Sequence, residues 1–256
     1  MEWWQALVLG AVEGLTEFLP VSSTAHLILT SSLLGLPQTE FLKSFEISIQ
    51  LGAILAVTLL SSKILRAEDG LWKKVAVAFL PAALIGFLFY STIRGALLES
   101  YSVVIAALFA GGIFFIVFEW WHARRAVVDR PLAELSYRDA LLIGTAQALA
   151  VIPGVSRSGA TIIGGLLLGF KRSAVVEFSF LLAIPTMLAA TGYDLLKNYN
   201  SFSLSDAKLL FLGFMTAGIV AYFTARFLLS FVQSHTFTGF GVYRIALALL
   251  FFFILF

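Results

Sequence analysis

Apolar runs separated by short polar breaks make up most of this chain. Ten can be read off, at about 3–19, 24–36, 44–60, 75–93, 102–121, 139–152, 159–170, 174–196, 207–230 and 241–256. A helix that crosses a bilayer needs about 20 residues, at ~1.5 Å each. Segments 24–36, 139–152 and 159–170 fall short of that, and 3–19 carries two acids and ends at Pro20. These four pieces come as two adjacent pairs, each broken by proline and hydroxyl residues. Each pair predicts a re-entrant helical hairpin that enters and leaves by the same side. The whole pattern predicts an all-α integral membrane protein with six spanning helices plus two re-entrant helical hairpins. Irregular backbone at membrane depth is tolerated only inside protein or beside a watery cavity, so the broken pairs mark where a site belongs.

The two halves share a pattern. GAVEGLTEFLP from Gly10 lies on GTAQALAVIP from Gly144, which sets Glu13 against Gln147. Ser23 then falls near Ser156, and FEIS at Phe45 matches VEFS at Val176, pairing Ser48 with Ser179. Each half holds one hairpin and three spanning helices. Three is odd, so the second copy is expected to be inverted, a plan known from transporters. Residues 1–121 form the first repeat of this single membrane domain, 122–138 a link and 139–256 the second.

Composition agrees with this reading. Of 256 residues, 60% are hydrophobic and 12% charged, with a mean hydropathy of +0.95, about half the charge of a soluble domain. No secretory leader is expected, since Glu2 opens the chain and the first apolar run contains acids. Cysteine is absent, which excludes disulfides and thiolate chemistry. Nothing resembles a basic nucleic-acid face, a heptad or a low-complexity tail. Charge placement orients the chain. Lys63, Arg66, Lys73, Lys74, Arg124, Arg125, Arg130, Arg138, Lys171 and Arg172 fall on one side, against Lys43, Arg94, Lys197 and Lys208 on the other. The richer side is expected in the cytoplasm, with both termini outside and the 122–138 link inside. Arg157, Arg226 and Arg244 stand outside this tally.

Glu13 and Glu17 are one helical turn apart and share a face. Carboxylates at membrane depth need a partner, a metal or water. Two on one face can hold a hard divalent cation, Mg²⁺ or Ca²⁺, with water and phosphate oxygens completing its shell. Alternatively one acts as an acid or base, or the pair bridges the halves or relays protons. VSSTAH follows at once, with Ser22, Ser23, Thr24 and His26. Pro20 stops the first helix and a hydroxyl caps the second, whose N-terminus favours anions. Ser23 and His26 are three residues apart, on one helical face.

PGVSRSGAT from Pro153 follows the same logic. Gly154 and Gly159 permit close backbone approach, while Ser156, Ser158 and Thr161 supply hydroxyls. Arg157 matches a phosphate with two parallel hydrogen bonds, or pairs structurally with Glu13 or Glu17. Gln50 is kept as a neighbour of the site. His122 and His235 sit at segment ends and read as interfacial.

At these motifs the chain resembles the undecaprenyl-diphosphate phosphatase family, the BacA-type bacitracin-resistance proteins. EGLTEFLPVSSTAH at Glu13–His26 and PGVSRSGAT at Pro153–Thr161 carry the likeness, supported by FEISIQLGAILAV at Phe45 and EFSFLLAIPTMLAA at Glu177. It extends over essentially the whole chain. One departure is Ala25, where that family usually has glycine. The resemblance implies hydrolysis of undecaprenyl diphosphate to the monophosphate and inorganic phosphate, recycling the cell-wall lipid carrier and conferring bacitracin resistance. It implies catalytic or phosphate-binding roles for Glu17, Ser23, His26 and Arg157; the chemistry of the residues themselves adds Ser22, Thr24, Gly154, Ser156, Ser158, Gly159 and Thr161 around the headgroup, with Gln50 as a neighbour. It further implies a divalent cation on Glu13 and Glu17, a bacterial inner-membrane location with the site open to the outer face, and a homodimer. Ser23 activated by His26, His26 itself and a water on the cation all stand as nucleophiles. An ion-coupled transporter or lipid-carrier flippase built on the same inverted repeat is the rival reading, and a noncatalytic scaffold is a third.

Overall fold

The computed structural model describes residues 1–67, 70–125, 129–198 and 206–255, with the side chains of 63–67 outside that description. Lys63 and Arg66 of the charge tally, residues 126–128 of the link and Phe256 of the last segment therefore lie outside what is described. Among the described residues the chain is helical and contains no strand. Its helices are α1 Trp3–Thr16, α2 Ser23–Leu33, α3 Glu40–Ala67, α4 Leu71–Leu88, α5 Tyr90–Thr92, α6 Tyr101–His122, α7 Tyr137–Ala148, α8 Arg157–Leu167, α9 Arg172–Asn198, α10 Asp206–Phe231 and α11 Thr238–Leu255.

Six helices are long and apolar enough to cross a membrane: Glu40–Ser62 of α3, then α4, α6, α9, α10 and α11. They coincide with the six long apolar runs, and the chain is a multi-pass membrane protein. The other principal helices are short: 14 residues in α1, 11 in α2, 12 in α7 and 11 in α8. At ~1.5 Å per residue they reach roughly 16–21 Å, too little to cross.

Local chemistry explains the breaks. Pro20 follows α1, and Ser22 adopts φ 70° immediately before α2. A single 3₁₀ turn, Leu149–Val151, ends α7; Gly154 then takes φ 98° and Ser156 φ 78° before α8. Positive φ in a serine costs about 1–3 kcal/mol, and such strain gathers at functional positions. Left-handed Gly35 and Gly169 close α2 and α8. Setting the two strained serines together pairs Ser22 with Ser156 and Ser23 with Arg157, one position from the sequence alignment that put Ser23 near Ser156.

The segment predicted at 75–93 is interrupted. α4 ends at Leu88, and a π-helical turn, Ile93–Leu97, follows α5. That turn holds Arg94, whose buried guanidinium reaches Glu40, Ser44 and Asp194. A buried cation is tolerated only with such partners.

Packing brings the short helices inward. α1 lies on α10 at glycine contacts: a Cβ at Gly10 would stand 2.6 Å from Gly213 O, and one at Gly14 2.6 Å from Ala217 O. α7 lies on α4 in the same manner, with Gly144 against the Ala78 carbonyl. α3 touches α9, α1 and α10, and α6 packs along α11. The core between them holds Phe18 and Phe180, whose rings meet edge-on at 5.0 Å. Leu84, Phe223 and Phe253 lie exposed on the outer faces of their helices, as lipid contact requires.

Candidate active site

Both helix breaks open on one cavity of about 500 Å³, a volume suited to a small ligand. At one end its wall carries Glu17, Ser22, Ser23, Thr24, Gly154, Ser156 and Arg157. Gln50 lines it as well, together with apolar residues of α4 and α9 including Phe79, Ala83, Phe87, Met187 and Ala190. Lys43, Tyr90, Arg94 and Asp194 form a second polar group on the wall.

One hydrogen-bonded chain joins the hairpins. The Arg157 guanidinium donates through Nη2 to Glu17 Oε1 at 2.9 Å. Ser23 Oγ donates to the other carboxylate oxygen, Glu17 Oε2. Arg157 Nη1 donates to Ser179 O at 2.8 Å, and Thr161 Oγ1 donates to Ser179 Oγ at 2.7 Å. Arg157 Nε is buried and has no hydrogen-bond partner among the described residues. Ser158 Oγ donates to Leu19 O at 2.9 Å, a second link between the two breaks. The structure thus contains the structural ion pair to Glu17, with the guanidinium on the cavity wall.

The predicted residues divide into two groups. Ser158, Gly159 and Thr161 do not line the cavity; they build its support. Ser156 Oγ caps α8 by accepting from Gly159 N at 3.1 Å, and Gly159 leaves room for the Phe115 ring. His26 also stays off the wall. Its Nδ1 bonds Ser22 O and its Nε2 the Tyr243 hydroxyl, both at 2.8 Å, with the two rings stacked 5.6 Å apart. Helical spacing suggested that His26 serves Ser23, but the Ser23 hydroxyl is held by Glu17. Ala25 is wholly buried beside Ile28, Val104 and Leu108, so the position calls for a small side chain.

Glu13 is fully buried one turn behind Glu17, and neither of its oxygens has a hydrogen-bond partner among the described residues. An unpartnered buried carboxylate next to a second one suits a cation. No group of three His, Cys, Asp or Glu side chains is placed to hold a metal among the described residues. Of the two carboxylates only Glu17 lines the cavity, with Glu13 buried behind it.

Two functional neighbours escaped the sequence reading. Arg244 of α11 is wholly buried and donates to both breaks: to Pro20 O at 3.2 Å in the first, and to Gly154 O at 2.7 Å and Val155 O at 3.0 Å in the second. Nη2 also reaches Ala107 O at 3.2 Å on α6. Tyr243, its neighbour in sequence, holds His26. The signal was present: an arginine within an apolar run is expensive and needs a role.

A family model described as bacitracin resistance protein BacA matches residues 6–250. An undecaprenyl-diphosphatase of Aquifex aeolicus is 49% identical over 251 residues, covering 98% of this chain and 98% of that protein. One from Wolinella succinogenes is 50% identical over 255 residues, covering 100% and 99%. One from Thermus thermophilus is 51% identical over 251 residues, covering 96% and 94%. With that match spanning nearly its full length, and with both motifs meeting at one cavity, the chain belongs to the bacitracin resistance protein BacA family.

Proposed function

We propose that this protein is a membrane phosphatase that hydrolyses undecaprenyl diphosphate to undecaprenyl phosphate and inorganic phosphate. The observation that carries the reading is the Ser23–Glu17–Arg157 chain on one cavity wall, in a chain whose relatives bear the name undecaprenyl-diphosphatase. A diphosphate brings negative charge that the Arg157 guanidinium neutralises by exchanging Glu17 oxygen for phosphate oxygen. Glu17 is then free to take the proton of the Ser23 hydroxyl it already accepts from. Ser23 Oγ attacks the terminal phosphorus, the bond to the bridging oxygen breaks, and undecaprenyl phosphate leaves. Glu17 hands that proton to the departing phosphate; water then attacks the phosphoserine with Glu17 as base, the proton returns to Ser23 Oγ, and inorganic phosphate is released. His26, held by Ser22 and Tyr243, fixes the start of α2 from behind. Glu13 and Glu17 are the ligands we assign to Mg²⁺ or Ca²⁺, which when bound adds positive charge against the carboxylate pair and the diphosphate. The prenyl tail lies along the apolar wall from α4 and α9.

The proposal extends to topology. α1–α2 and α7–α8 are re-entrant hairpins of two inverted repeats, residues 1–121 and 139–256. Supporting this, Gly10, Ser22 and Gly35 have counterparts Gly144, Ser156 and Gly169 in conformation or contact, and α1 meets α10 as α7 meets α4. Both termini and the mouth of the site face outward from the bacterial inner membrane, with the link cytoplasmic, following the excess of basic residues. A homodimer is the assembly expected from the resemblance, checked by its mass in detergent.

The test is phosphate release from a polyprenyl diphosphate by the purified protein in detergent, with metal chelation and add-back. Release that stops on chelation and returns with Mg²⁺ or Ca²⁺ is the expected result. A transporter or a scaffold releases none.

A further inference from the structure

One polar group on the cavity wall has no part in the scheme above. Gln147, near the C-terminal end of α7, is 1% exposed and lines the cavity with Pro153, Gly154 and Arg157. Its Nε2 donates to Thr186 Oγ1 at 3.2 Å, and its Oε1 has no hydrogen-bond partner among the described residues. Thr186, also on the wall, follows Pro185 in α9 and passes its own proton to Leu182 O at 2.7 Å. A buried amide with one end unmatched is costly unless something completes it. The two ends of a carboxamide are exchanged by a half-turn. That turn, with the Thr186 hydroxyl rotated from Leu182 O towards it, leaves Oε1 accepting from Thr186 and presents Nε2 to the cavity as a donor.

Charge decides what such a donor suits. The matching position in the first hairpin holds Glu13, whose carboxylate repels a diphosphate unless a cation intervenes. Gln147 offers hydrogen bonds without that repulsion, on the wall that already carries Arg157. We propose that Gln147 is a substrate-binding residue whose carboxamide, seated on Thr186, donates to a phosphate oxygen of the polyprenyl diphosphate headgroup beside Arg157. This assignment rests on the phosphatase reading.

The experiment measures initial rates of phosphate release against undecaprenyl diphosphate concentration in detergent, with Tm recorded for each protein. Gln147→Glu keeps the shape and the bond to Thr186 but replaces a donor with a negative charge. Gln147→Leu keeps neutrality and loses both bonds. Headgroup binding predicts that KM rises about tenfold or more in Gln147→Glu, beyond the rise in Gln147→Leu, with a smaller change in kcat. A packing role predicts the reverse order, with Gln147→Leu the more damaged in Tm and rate. That order, or a KM for Gln147→Glu within about twofold of wild type, overturns the assignment. Thr186→Val removes the seat without altering charge, and is expected to raise KM as well; an unchanged KM counts against the proposal. Wild-type protein that releases no phosphate overturns the phosphatase reading itself, whereas active wild type with unaffected variants overturns only the role of Gln147.

Discussion

The two helix breaks share a backbone and divide the chemistry. Each places a strained serine before an 11-residue helix, and each helix ends on a left-handed glycine. Yet the first break supplies the acids, Glu13 and Glu17, and the Ser23 hydroxyl that we propose as the nucleophile. The second supplies the cation, Arg157, with hydroxyls that hold it. Their caps differ too: Ser156 caps α8 through Gly159 N, whereas the Ser22 side chain caps nothing. The two similar breaks thus bring opposite charges into direct contact, Arg157 on Glu17 at 2.9 Å. In the proposed reaction the first break positions the reacting group and the second a binding group.

The largest effect expected from breaking this arrangement comes at the pair that joins the breaks. Arg157→Ala should lower kcat/KM by about 10²–10³-fold, and Arg157→Lys should recover only part, since an ammonium cannot make the two parallel bonds. Steady-state phosphate release checks both. Ser23→Ala should cost about 10²-fold or more, and should abolish any trapped phospho-enzyme. Near wild-type activity in that variant would move the attack to His26 or water and remove the functional asymmetry of the breaks. Third comes the staple common to both. Arg244→Met strips donors from carbonyls of Pro20, Gly154 and Val155, and should cost about 3 kcal/mol or more of stability, read as a lower Tm in detergent. The smallest effect separates the caps. Ser156→Ala should destabilise by about 1 kcal/mol and Ser22→Ala by close to none, because only the former loses a capping bond. Equal losses would erase that difference.

Much of the architecture was legible from apolar run lengths, because a bilayer fixes the length of a spanning helix. The four short segments and the convergence of Glu17 with Arg157 were legible for the same reason: charge inside lipid must find charge. The partner of Ser23 was not. Spacing of three along a helix pointed to His26, but both imidazole nitrogens are taken, by Ser22 O and the Tyr243 hydroxyl. The Ser23 hydroxyl meets Glu17, just past the end of α1, instead. Arg244 was missed because its partners are carbonyls, which leave no mark in a sequence, and Pro20 lies 224 positions away. The π-helical turn at Ile93–Leu97, which carries Arg94, begins where the segment read as 75–93 was expected to end, and the partners of that guanidinium on α3 and α9 leave no mark in the local sequence.

The most direct measurement is an experimental structure with Mg²⁺ and a polyprenyl diphosphate analogue whose bridging oxygen is replaced by methylene. The account predicts the terminal phosphate within hydrogen-bonding distance of both Ser23 Oγ and the Arg157 guanidinium, with the Arg157–Glu17 bond exchanged for one to phosphate. A headgroup bound at Lys43 and Arg94, or outside the cavity with Arg157 still held on Glu17, would contradict it.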